Sequence, residues 1–213
     1  MPNWCNNNIR IFGDEGTIRT LTAVLKSLKT DDEEQSSDVF KSLIGLPQHM
    51  SDGDYKEKWY DTNIEWFGTK WDISYEESSF TFTKDEISFF CETAWSPPIP
   101  FLQHLCEMYK VNAYLFYSEG GVGFAGQTEF NWVQGELEVY DQECGYLEGI
   151  YKFSNEEFWS EVESRVDSIL DEEQTLEDFI SEFDFVSDED KVELTRLYNE
   201  TIESNDEDDT EGE

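Results

Sequence analysis

An α+β fold with an antiparallel sheet, followed by an acidic helical module, is what this sequence predicts, on three observations. Strand-like alternation and helix-like spacing succeed one another in the order β-α-β-β-α-β along the amino-terminal part of the chain. Two further alternating runs follow with no helical stretch between them, as in a meander. The charge then concentrates: 24 of the 50 acidic residues fall between Ser154 and Glu213, against three basic ones.

Taken in order, "NNIRIF" alternates polar and apolar residues as a strand does. "GTIRTLTAVLKSLK" sets Ile18, Leu21, Val24, Leu25 and Leu28 on one helical face. "TDDEEQSSD" is a polar acidic loop, "VFKSLIGLPQHM" a short apolar segment ended by Pro47, and "SDGDYKEKWYDTN" reads as a long connection. A loop insertion over about 31–65 is therefore expected. Strands are predicted in "SFTFTKD" and "EISFFCETAW", a helix in "PFLQHLCEMYK" entered through Pro100, and strands in "VNAYLFYSE" and "GVGFAGQTEFNWV". This order is the ferredoxin-like arrangement. "GELEVYD" and "GYLEGIYKF" would extend the sheet, closing a domain over 1–153.

Three helices are expected in 154–203, with start signals at Ser154 ahead of Glu157, Thr175 ahead of Asp178, and Ser187 ahead of Asp190. Their apolar stripes run through Phe158, Trp159, Val162 and Val166, then Leu176, Phe179, Ile180 and Phe183, then Leu194, Leu197, Tyr198 and Ile202. Residues 204–213 hold no large apolar side chain and read as a disordered acidic end.

With 213 residues, 16 Phe, 10 Tyr and 7 Trp, the chain can fill a core. A formal charge of −36 repels nucleic acid and anionic membranes and favours basic partners. Ten Lys to four Arg and only four Ala do not look like adaptation to high salt, so the acidity needs another reason. The start of the chain lacks a basic segment followed by an apolar one, and no apolar run is long enough to span a bilayer; a cytoplasmic location is expected. Cys5, Cys91, Cys106 and Cys144 lack metal or redox spacing and read as structural thiols.

"MPNWCNNNIRIFG", "FGTKWD", "TAWSPPIP" and "YSEGGVGFAG", in that order, resemble the YubB ferredoxin-like family, whose members occur on phages and plasmids and have no established activity. The resemblance covers roughly the first 130 residues and implies a ferredoxin-like fold and a mobile-element origin. Phe67 stands where the family commonly has Trp, and the acidic helices lie outside the shared pattern.

Candidate chemistry is sparse. Trp4, Trp71 and Trp95 read as scaffold aromatics, with Asn6, Asn7 or Asp72 as partners for their indole N–H groups. "EGGVGFAG" lacks the pattern and the lysine of a phosphate loop. His49 and His104 lack partners at metal-ligand spacing, and Asp206 and Asp208 start a calcium-loop spacing that has no glycine at its sixth position. Neither a cofactor nor a metal is expected. An enzyme built on Cys91 or Cys5 with His104, or on a carboxylate pair holding metal ions, is the remote alternative.

The favoured reading is a phage-type inhibitor without enzymatic activity. Its acidic helices present Glu172, Glu173, Glu177, Asp178, Glu182, Asp184, Asp188, Glu189, Asp190 and Glu193 in place of nucleic acid. Carboxylates three or four apart on a helix lie about 5–6 Å apart, and two or three such helices approach the charge density of a duplex. The partner would be a basic host protein that handles nucleic acid, such as a nuclease or restriction factor. An acidic adaptor without mimicry is the alternative, and a homodimer could cover the open face of the sheet.

Overall fold

The computed structural model describes residues 3–29, 38–172 and 175–210, with the side chains of 167–172 and 203–210 left aside. The chain divides into two compact units, Met1–Glu143 and Cys144–Glu213.

In the first unit, β1 (Trp4–Phe12), β2 (Ser79–Phe82), β3 (Glu86–Ala94), β4 (Asn112–Glu119), β5 (Phe124–Val133) and β6 (Glu136–Gly145) form one sheet in the order β2-β3-β1-β4-β5-β6. Its pairings β1 with β3, β1 with β4, β2 with β3 and β4 with β5 are all antiparallel. The fold is ferredoxin-like α+β: β1 lies between β3 and β4, as two interleaved split βαβ units require, and β5 and β6 extend the sheet.

Alternation along the strands selects the core. Cys5, Ile9 and Ile11 of β1, Ile87, Phe89 and Cys91 of β3, and Ala113, Leu115 and Tyr117 of β4 are buried in one cluster. The helices α1 (Glu15–Ser27), α2 (Val39–Ile44) and α4 (Ile99–Tyr109) supply Ile18, Leu21 and Leu25, then Phe40 and Leu43, then Phe101, Leu102 and Leu105 to the same cluster. Phe40 stacks on Phe101 at 4.0 Å between ring centroids. Asn7 faces the core too, and donates to the Cys5 and Cys91 carbonyls and to Thr93 Oγ1, so its burial leaves no orphan amide.

Three expectations change. The long connection is largely the helix α3 (Asp52–Trp66), opened by a capping box between Ser51 and Asp54. Its stripe is thin, its buried positions being Thr62 and Asn63, so apolar periodicity does not show it. "GYLEGIYKF" is not a strand but the helix α5 (Tyr146–Phe153), which moves the unit boundary ten residues ahead of the expected 153. A run this short satisfies both periods, since Leu147, Tyr151 and Phe153 would share one face of a strand while Tyr146, Leu147 and Ile150 share a helical face. The third change is at the carboxy end, where helix continues to Thr210 through a stretch expected to be disordered; 211–213 lie outside the described residues.

The second unit holds α5, α6 (Asn155–Glu172), α7 (Leu176–Ser181) and α8 (Asp188–Thr210). Its core is aromatic: Phe158 meets Tyr151 at 4.9 Å, Phe179 meets Phe183 at 5.2 Å and Tyr198 at 5.8 Å, and Phe185 packs between Tyr151 and Phe183. Val162, Val166, Val186 and Leu194 are buried in the same unit. Among the described residues no helix is long and apolar enough to cross a membrane.

Candidate binding surfaces

The acidic module divides its carboxylates between two jobs. Thr175 caps α7, accepting from the Asp178 N–H at 3.2 Å and donating to Asp178 Oδ2 at 2.6 Å. Ser187 and Asp190 repeat this at the start of α8, where Asp190 also accepts from the Tyr151 hydroxyl at 2.7 Å. Glu182 pairs with Arg165 at 3.0 Å, and Glu193 pairs with Arg196. These four acids hold the module together, so they are less available to a partner than the sequence suggests. Glu177, Asp184, Asp188 and Glu189 are exposed, and their carboxylates have no ion pair or hydrogen bond among the described residues. Glu173 and the side chain of Glu172 lie outside the described residues. Glu177 and Asp184 also line a groove of about 610 Å³ between α7 and α8, with Leu176, Ile180, Lys191 and Thr195.

A second surface, not expected from the sequence, lies at one end of the sheet. Register places the start of β1 against the end of β3, as Trp4 opposite Ala94, and against the end of β4, as Asn6 opposite Ser118. The segment 67–72 is tied to this end by hydrogen bonds from Thr69 Oγ1 to the Ala94 carbonyl and from Ser96 Oγ to the Gly68 carbonyl, at 3.1 and 2.6 Å. All four motifs of the family resemblance therefore meet there. Trp4, Trp71 and Trp95 are 47, 38 and 41% exposed, which corrects their reading as scaffold aromatics. Asn7 and Asp72 serve other groups, Asp72 accepting from the backbone N–H of Phe40, Lys41 and Ile73 at 2.7–2.8 Å. The exposed indoles were legible only as motif members, because alternation assigns a face and not its exposure.

The glycine loop "EGGVGFAG" carries its own anion. The buried Glu119 carboxylate accepts from the N–H groups of Gly121 and Val122 at 2.9 and 2.5 Å, the donors a phosphate would use. Gly126 permits close approach, since a Cβ there would lie 2.4 Å from the Gln142 carbonyl oxygen and 2.5 Å from the Tyr117 hydroxyl.

The thiols of Cys5, Cys91 and Cys106 are buried and reluctant to ionise. Burial, helped by Glu119, pushes Cys5 up to about 12, burial pushes Cys106 to about 12, and Cys91 rises further still. His104 stacks on Trp66 at 3.8 Å, and burial lowers its pKa. Among the described residues no three His, Cys, Asp or Glu side chains come together as a group able to hold a metal ion.

Asp72 gives the fold a defined pH dependence. Burial pushes its carboxyl up to about 7 despite the three N–H donors, from an ordinary value of 3.8. Between pH 7.5 and 5.5 the folded chain takes up a proton there that the unfolded chain does not, so stability rises as pH falls, by about 2 kcal/mol. Relief of self-repulsion acts in the same direction. Asp14 and Asp54, held below the ordinary carboxyl range by the Thr17 and Ser51 hydroxyls, oppose this only below about pH 4, whereas His104, lowered by burial, opposes it in part within the window, because below about pH 6.5 the unfolded chain takes up a proton there more readily than the folded one. The melting temperature should therefore be higher at pH 5.5 than at 7.5, and at pH 7.5 it should rise with moderate salt. Calorimetry in 0.5 M salt, as a rough screening condition, isolates the Asp72 part; a melting temperature that falls on acidification, or an unchanged slope in Asp72→Asn, would count against the assignment.

Fold and surfaces together define a ferredoxin-like domain joined to an acidic helical module, with exposed aromatic and acidic surfaces. Residues 70–180, just over half of the chain, match the family described as the ferredoxin-like domain in Api92-like protein, and the chain belongs to that family. The match runs through α5, α6 and most of α7, so part of the acidic module lies inside this family's pattern. The crystal structure of the protein api92 from Yersinia pseudotuberculosis is similar with a TM-score of 0.43 at 9% identity, covering 68% of this chain and 99% of that one. No curated protein matches the chain.

Proposed function

We propose that this chain is a binding protein without catalytic activity, whose acidic module occupies the cationic surface of a basic, nucleic-acid-handling protein and blocks it. The observation that carries the reading is on α7 and α8, where Glu177, Asp184, Asp188 and Glu189 stand exposed and without a partner among the described residues, Glu177 and Asp184 lining a largely apolar groove. A formal charge of −36 steers a basic partner from a distance, and the four carboxylates take the positions of phosphates on its surface. Leu176 and Ile180 supply apolar contact that nucleic acid cannot, which slows dissociation. The phage and plasmid occurrence of the resembling family supports a target among host defence factors.

The same groove favours a second reading, an acidic adaptor that grips an amphipathic basic segment without mimicking nucleic acid. Competition separates the two. With the full chain immobilised and proteins from a host lysate bound, mimicry predicts that duplex DNA added at constant ionic strength releases a basic nucleic-acid-binding protein. A partner that resists DNA and also survives high salt would overturn mimicry in favour of the adaptor.

A further inference from the structure

At the motif end of the sheet Trp4 and Trp71 line a cavity of about 410 Å³, together with Asp72, Glu77, Glu92 and Thr93. We propose that this cavity is a recognition site for an organic cation, and that its occupant is an arginine side chain of a protein partner.

Its lining has one electrostatic character. The carboxylate residues Glu77 and Glu92 and two indoles line the space, beside Asp72, whose carboxylate is held by backbone N–H groups, and the lining contains no lysine, arginine or histidine. Glu77 and Glu92 have no ion-pair or hydrogen-bond partner among the described residues. Phosphate and carboxylate ligands are therefore repelled, whereas a cation gains from the carboxylates and from the electron-rich indole faces together. The chain already uses these faces in this way. The Lys70 ammonium sits 4.3 Å from the ring centroid of Trp71 and 4.8 Å from that of Trp95, so the cluster accepts a cation of its own making.

The site is built in advance. Trp95 holds a left-handed backbone with φ of 72°, a conformation a bulky side chain rarely adopts, and its N–H is fixed on the Asn3 carbonyl at 3.0 Å. Thr93 Oγ1 donates to the Ser96 carbonyl at 2.7 Å and locks the same turn. Strain that keeps large aromatic surfaces in water makes sense where a ligand covers them. Geometry then chooses among cations. The indoles of Trp4 and Trp71 lie 6.0 Å apart between centroids and are tilted by 39°, an open wedge rather than a parallel sandwich. A flat guanidinium can lie on one wall and still present paired N–H donors to a carboxylate such as Glu92, which a compact ammonium cannot do.

This inference does not rest on the acidic α7–α8 face. Its test is a titration of the full chain, read by intrinsic tryptophan fluorescence, with acetyl-Gly-Arg-Gly-amide, the matching lysine peptide and spermidine at one ionic strength. The arginine peptide should bind saturably, and Trp4→Ala and Glu92→Gln should each weaken it at least about five-fold, in proteins whose melting is unchanged. Lysine replacements at Glu177, Asp184, Asp188 and Glu189 should leave it as it is, which separates this site from the acidic face. The proposal is overturned if both cavity variants titrate as the wild type does, or if salt alone reproduces the signal. Equal binding of spermidine would overturn the arginine assignment.

Discussion

Replacing Glu177, Asp184, Asp188 and Glu189 together by lysine is expected to weaken binding to the basic partner at least about 100-fold, corresponding to about 3 kcal/mol, while the helices stay formed. Each of these side chains is exposed and has no ion pair or hydrogen bond among the described residues, so its loss breaks no contact in the module; Glu177, Asp188 and Glu189 lie in the first turns of α7 and α8, where lysine costs only about 0.3–1 kcal/mol each against the helix dipole. Each lysine replaces an attraction by a repulsion against a cationic surface, and four such reversals at one face slow association and hasten dissociation. The companion set behaves differently. Lysine at Asp178 and Asp190 removes the carboxylates to which the Thr175 and Ser187 hydroxyls donate, and at Asp190 also the acceptor of the Tyr151 hydroxyl, costing about 1 kcal/mol for each hydrogen bond lost, and sets positive charge at two helix starts that favour negative charge. Those variants should lose helicity and melting temperature as well as binding. Circular dichroism beside a binding assay separates the sets, and an affinity that the fourfold variant leaves unchanged would sink the proposed function.

That distinction could not be drawn from the sequence, which presents ten acids of equal standing. Thr175 ahead of Asp178 and Ser187 ahead of Asp190 are readable as capping boxes, so two of the four committed acids could have been set aside. Glu193 could be suspected as well, since Arg196 follows it by three residues on the same helix, whereas Glu182 could not, because its pairing with Arg165 across 17 residues depends on which helix faces turn together. The core elements were legible where burial imposes a strong period, as in β1, α1, β3 and α4. Reading failed where burial is shallow. The helix α3 carries Thr and Asn at its buried positions, and its one legible mark was the Ser51 to Asp54 capping box. The aromatic end of the sheet was half visible: four separate motifs carried the resemblance, but only strand register brings Trp4, Trp71 and Trp95 together.

Gly68→Ala should destabilise the first unit by about 2–4 kcal/mol, a large effect for a single methyl group. Gly68 has a φ of 84°, and a Cβ on it would lie 2.4 Å from Pro100 Cδ and 3.2 Å from the Pro97 carbonyl oxygen. Neither neighbour can yield easily, because Pro100 sits in the first turn of α4 and the Gly68 carbonyl is held by Ser96 Oγ. The segment 67–72 would have to shift as a whole, and Lys70, Trp71 and Asp72 with it. The melting temperature should fall by about 5–12 °C, and the tryptophan emission should change, since Trp71 and Trp95 would lose their fixed relation to Lys70. Gly53→Ala is the control. It lies in the first turn of α3, without positive φ and with only Ser51 Oγ at 3.7 Å, so alanine there should be neutral or stabilise by up to about 1 kcal/mol. If both variants melt within about 0.5 kcal/mol of the wild type, segment 67–72 is not the rigid wall of the cavity that its hydrogen bonds and its glycine imply.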